Sequence, residues 1–201
     1  MGTKILLATA NKSKIAEIKH ILEGLGVGIV TLDDYPGLKL PPEDGSTFRE
    51  NALIKARFVA AKTGVMALAD DSGLEVDFLG GRPGVYSARY AFDGAGDREN
   101  YLKLLKELEG VPKEKRRARF RCAVALVSPD GEEEVFEGSF EGTITDVPRG
   151  SSGFGYDPFF FITEMQKTAA ELTPNEKNTM SHRAKALEKL KKRLENKNKK
   201  S

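Results

Sequence analysis

The sequence predicts an α/β fold, a twisted mixed β-sheet with flanking helices. Three observations predict it: the chain opens strand, turn, helix; strand-like segments outnumber helical ones in mixed order; and the second half carries a long hairpin pattern. A length of 201 residues with 39% hydrophobic content suffices for one substantial core, or for two lobes sharing a sheet. No internal repeat or separating linker interrupts the chain, so residues 1–195 read as a single domain and 196–201 as a basic, frayed tail.

The elements follow in order. Lys4 to Ala8 is a short apolar run suited to a buried strand, and Ile15, Ile18, Leu22 and Leu25 then recur at helical spacing until Gly24 and Gly26 end the helix. Val27 to Leu32 reads as a strand, and Asp33 to Gly45 as a loop rich in Pro, Asp and Gly. Thr47 and Glu50 have capping-box spacing and open a helix through Ala61 that buries Phe48, Ala52, Ala56 and Val59. Val65–Ala69 and Leu74–Phe78 read as two strands flanking an acidic turn, and Asp97–Leu108 as a helix with Tyr101, Leu104, Leu105 and Leu108 inward. Arg117–Val127 and Glu134–Val147 make the hairpin around Pro129-Asp130-Gly131. Phe159–Ile162 is one more strand, and Ser181 caps a last helix through Leu194.

Composition excludes several classes. A net charge of +2 in a chain that is 31% charged argues against a surface built to hold a nucleic-acid backbone. No run approaches the roughly 20 apolar residues that span a bilayer, and the N-terminal apolar run is too short for a signal peptide, so a cytoplasmic protein without a membrane partner is expected. The single cysteine, Cys122, cannot pair within the chain and reads as a small buried hydrophobe.

Four stretches carry chemistry. In TANKSK, Thr9 to Lys14, the junction of strand and helix favours an anion through free N–H groups and the helix dipole, with Lys14 adding charge. The same residues suit an ordinary cap, with Asn11 or Ser13 satisfying the helix. At Asp70-Asp71-Ser72-Gly73, two carboxylates at a strand end, with Glu43 and Asp44 available from the preceding loop, can supply oxygen ligands to Mg²⁺ or polarise water. Adjacent strand side chains face opposite ways, so the two acids have separate jobs; Asp-Ser-Gly is also plain turn composition. In RGSSGFGYDPFFF, Arg149 to Phe161, glycines bracket Phe154 and Tyr156, which suits stacking on a nucleobase or simple burial of the rings. In EKNTMSHRAKAL, His182 and Arg183 open a helix with Lys177 just upstream, so that His182 can donate to a keto oxygen and Arg183 can make a forked contact. His20, mid-helix without acidic neighbours, reads as structural.

Together, TANKSK, FRENALIKA, ADDSGLEVDFLGGRPGVYSARY, GFGYDP and EKNTMSHRAKAL resemble, in order and spacing, the inosine/xanthosine triphosphate pyrophosphatases, from Lys4 to about Leu190. The resemblance implies a two-lobed homodimer with the active site in a cleft between the lobes. It implies Mg²⁺-dependent attack of water at the α-phosphorus of ITP, dITP or XTP, releasing the nucleoside monophosphate and pyrophosphate. By the same match Asp71 is general base and metal ligand, with Glu43 and Asp70 as further acidic contributors to the metal. Thr9, Ala10, Asn11, Lys12, Ser13, Lys14, Ser72 and Lys177 would bind the triphosphate, and Phe154, Gly155, Tyr156, Asp157, His182 and Arg183 the base. Ala10 stands where many members carry glycine. Two rival readings are a nucleotide- or RNA-binding module that stacks bases on Phe154 and Tyr156, and a cleanup enzyme for modified pyrimidines or methylated bases.

Overall fold

The computed structural model describes residues 4–198; residues 1–3 and the end of the predicted basic tail, 199–201, lie outside the described residues. β1 (Lys4–Leu7) leads into α1 (Lys12–Ile21), and β2 (Gly28–Val30) follows. Next come α2 (Phe48–Thr63), β3 (Met66–Val76), α3 (Asp97–Glu107), β4 (Arg117–Val127) and β5 (Glu133–Ile144). β6 (Phe160–Ile162), β7 (Lys167–Thr168), α4 (Pro174–Met180) and α5 (His182–Asn198) complete the order. The strands form one seven-stranded sheet, β2-β1-β3-β4-β5-β6-β7. It is mixed, as the sequence predicts: β1 runs parallel to β2 and β3, whereas β6 runs antiparallel to β5 and β7.

Local chemistry sets the element ends. Thr47 Oγ1 accepts the Glu50 N–H at 3.1 Å to start α2, and Gly64 ends it in the left-handed conformation that glycine adopts without strain. The predicted turn after β4 closes with the Gly131 N–H on the Ser128 carbonyl at 3.0 Å.

The structure differs from the sequence reading in several places. Asp70 to Gly73 is no turn: β3 runs unbroken for 11 residues through both acids. The predicted strand Val27–Leu32 shrinks to Gly28–Val30, because Leu32–Asp34 turns into a 3₁₀ segment whose Asp34 carboxylate accepts the Thr31 N–H at 2.9 Å. β5 stops at Ile144, leaving Val147 exposed outside it. α4, opened by Thr173 and Pro174, has no counterpart in the sequence reading, and α5, which starts directly after Ser181 as expected, continues to Asn198 into the stretch predicted to fray.

The chain divides into two compact units, each with its own core. The first comprises the residues up to Asp71, Cys122–Gly138 and those from Arg183 onward. There Ile5, Leu7, Leu68 and Val124 from the strands pack with Ile18 of α1 and Leu187 and Leu190 of α5. The second comprises Ser72–Arg121 and Ser139–His182; its core joins Leu74, Val76, Phe120, Phe140 and Phe160 to Leu104 of α3. No described helix is long and apolar enough to cross a membrane.

Candidate active site

Side chains alternate along β3, so Asp70 and Asp71 meet different surroundings. Leu68 belongs to the first unit's core with α1 and α5, and Asp70, two residues on, meets residues of those helices. Its Oδ2 accepts from Lys14 Nζ at 3.0 Å and from Arg183 Nε at 3.1 Å. Arg183, at the start of α5, also donates from Nη1 to Glu17 Oε2 of α1 at 2.5 Å. Burial alone would raise the Asp70 pKa, but the charges of Lys14, Arg183 and Lys55 outweigh it and hold the carboxyl well below the usual carboxylate range.

Asp71 is buried too, and its Oδ2 accepts from Asn51 Nδ2 of α2 at 2.9 Å. One turn along α2, the buried Lys55 donates to Glu43 Oε1 and to the Asp70 carbonyl, each at 2.7 Å. Burial raises the Asp71 pKa; Lys55 and Asn51 oppose the shift, while the nearby Glu43 adds to it. Asp70 and Asp71 are thus shifted in opposite directions by their surroundings. Lys55 and Asn51 were missed as site residues, although a signal exists. Both fall at i+3 or i+4 spacing from Phe48 and Ala52, on the face predicted to be buried, where a lysine needs a partner.

In the TANKSK turn Asn11 forms the helix cap that the sequence suits. Asn11 Oδ1 accepts the N–H groups of Ser13 at 3.0 Å and Lys14 at 3.2 Å, and Thr9 Oγ1 accepts the Asn11 N–H at 3.2 Å. Ala10, Asn11, Lys12 and Ser13 are exposed, whereas Lys14 is tied to Asp70. His20 differs from expectation: it is exposed near the end of α1, with Glu23 4.0 Å away.

The second unit holds the aromatic loop. Asp157 is buried, and its Oδ2 accepts from Lys177 Nζ at 2.6 Å and from the Phe154 N–H at 3.0 Å. Gly153 has φ +82°, and a Cβ there would lie 2.0 Å from Asp157 Oδ2, so only glycine lets the loop close on that carboxylate. The Gly155 N–H donates to Asp97 Oδ2 at 2.7 Å. Tyr156 is buried, and its hydroxyl donates to the Ser87 carbonyl at 2.8 Å, which matches simple burial rather than stacking. Phe154 is 37% exposed, with Lys177 Nζ 5.0 Å from its ring centroid. His182 is buried and stacks on Phe120, ring centroids 5.1 Å apart; Ser72 is half-buried.

Among the described residues no group of three or more His, Cys, Asp or Glu is arranged to hold a metal. Mg²⁺ requires less of a protein: one or two carboxylates, with substrate phosphates and water completing its shell. Asp71 and Glu43 suit that requirement, since both are oxygen donors beside Lys55 and their mutual repulsion is what a cation would relieve. The Asp70 carboxylate is not gathered with them, being bound to Lys14 and Arg183.

The model of the Ham1 family matches residues 5–193. A dITP/XTP pyrophosphatase from Geobacter sulfurreducens is 53% identical over 192 residues, 96% of each chain. The structure of a HAM1 protein from Coxiella burnetii superposes with a TM-score of 0.89 at 44% identity, covering 96% of this chain and 98% of that one. The Ham1 protein of Staphylococcus aureus gives 0.88 at 39% identity, covering 97% and 100%. With residues 5–193 matched by the family model, and sequence identity and fold shared with these proteins over nearly its whole length, the chain belongs to the Ham1 family.

Proposed function

We propose that this protein hydrolyses ITP, dITP and XTP to the nucleoside monophosphate and pyrophosphate, in the cytoplasm, and so keeps deaminated purines out of nucleic acids. The observation that carries the reading is Asp71, a buried carboxylate of raised pKa beside Lys55, Glu43 and Asn51. The names of relatives such as the Geobacter sulfurreducens dITP/XTP pyrophosphatase support it.

In this reading Asp71 orients the attacking water and accepts its proton. Asp71 and Glu43 would hold Mg²⁺, which when bound supplies Lewis-acid activation of water and charge neutralisation at the phosphates. Lys12, Lys14 and Lys177, with Thr9, Asn11, Ser13 and Ser72, stabilise charge on the departing pyrophosphate. Phe154 stacks on the purine, and His182 and the 154–157 loop read its edge. Donors facing the 6-keto oxygen of hypoxanthine or xanthine would be left unpaired opposite the amino group of adenine, which disfavours ATP by about 10⁴ or more. Arg183 and Asp70 support Lys14 from behind. The reading includes a homodimer, for which exposed Phe78, Tyr86, Phe92 and Leu102 of the second unit supply apolar surface.

Product analysis with Mg²⁺ and, separately, ITP, XTP, ATP and GTP tests the reading. Pyrophosphate from ITP and XTP with little from ATP or GTP is expected. Orthophosphate would mean attack at the terminal phosphate and a different enzyme, and no product at all would favour a binding module.

A further inference from the structure

Asn51 lies in the FRENALIKA stretch, between Phe48 and Lys55. It is wholly buried in the first turns of α2. Its Oδ1 accepts the Gly45 N–H at 2.8 Å, and its Nδ2 donates to Asp71 Oδ2 at 2.9 Å. The amide cannot sit the other way round: a backbone N–H requires an acceptor and an ionised carboxylate requires a donor. Gly45 is held as tightly, since a Cβ there would come within 2.7 Å of Asn51 Oδ1 and 2.8 Å of Glu50 Cβ. Two residues before Gly45, Glu43 is bound by Lys55, the next residue on the same face of α2.

We propose that Asn51 is a positioning residue: it fixes the direction of the Asp71 carboxylate and locks it in one frame with the 43–45 loop that carries Glu43. The inference rests on the reading of Asp71 as the group that takes the proton from water. A buried asparagine that only anchored the loop would need its bond to Gly45 and nothing more.

Asn51→Asp separates these cases. It keeps shape and an acceptor for Gly45 but replaces the donor facing Asp71; Asn51→Ala removes the donor without adding charge. Positioning predicts that kcat for ITP falls on the order of 100-fold in both, the scale of a small misplacement of a reacting group. Affinity for a non-hydrolysable ITP analogue should stay that of the parent. The exchanged pair Asn51→Asp with Asp71→Asn restores a donor opposite an acceptor, so its melting temperature should recover from the drop caused by Asn51→Asp alone. Near-parental kcat in both single variants, or loss of affinity in proportion to kcat, would overturn the positioning role, as would failure of the exchanged pair to recover. Turnover surviving in Asp71→Asn alone would instead remove the underlying reading of Asp71.

Discussion

Burial raises the cost of ionising Asp70 and Asp71 alike, but only at Asp70 do neighbouring cations outweigh it. Opposite consequences follow for the two neighbours. The Asp70 pKa is depressed in the folded chain, so its ionisation contributes stability above the unfolded value of about 3.9, and the contribution is lost as pH falls below it. The Asp71 pKa is raised, so its ionisation subtracts stability as pH climbs through the folded value. Asp70→Asn should therefore destabilise by about 3–5 kcal/mol, the cost of leaving buried cations without their partner. It should also flatten the acid side of a plot of melting temperature against pH. Asp71→Asn should abolish turnover without lowering the melting temperature at neutral pH; calorimetry of the two variants beside an activity assay checks the pair. Cys122 has no comparable role: burial pushes its thiol up to about 12, which keeps it a neutral apolar group at ordinary pH.

At the scale of elements, the 154–157 loop depends on a left-handed glycine. Gly153→Ala adds a methyl where Asp157 Oδ2 already lies and forces an unfavourable φ, so it should displace Phe154 and Lys177. The expected result is a higher KM for ITP and weaker discrimination against ATP, measured by steady-state kinetics, with the Asp71 chemistry retained. The legible elements were those specified locally: α2 announced itself through Thr47, Glu50 and its apolar spacing. β3 was misread because Asp-Asp-Ser-Gly has turn composition, while the strands that flank it, β1 and β4, and the partner of Asp70, Arg183 at 113 residues' separation, come from far along the chain. The same distance hid the employment of Arg183, whose guanidinium reaches Asp70 and Glu17. α4 was legible in principle, since Thr173 and Glu176 form a capping box with Pro174 at the first helical position.

For the whole molecule, a net charge of +2 supplies little long-range field, so under the proposed function attraction for a triphosphate is local, from the cations assigned to it there. A ligand that binds only the folded chain stabilises it by about 2.7 kcal/mol at a hundred times its Kd. A non-hydrolysable ITP analogue with Mg²⁺ should therefore raise the melting temperature, and the matching ATP analogue at the same concentration should not. The alternation of Asp70 and Asp71 along β3 also makes the strand behave like a reading frame. Substituting a residue between Met66 and Ala69 alters one contact, whereas inserting or deleting one would shift the phase and present each acid to the other's partners. Lys14 and Arg183 would then face the carboxylate meant for Asn51, so a single-residue length change here would cost both the fold's charge balance and its chemistry in one step.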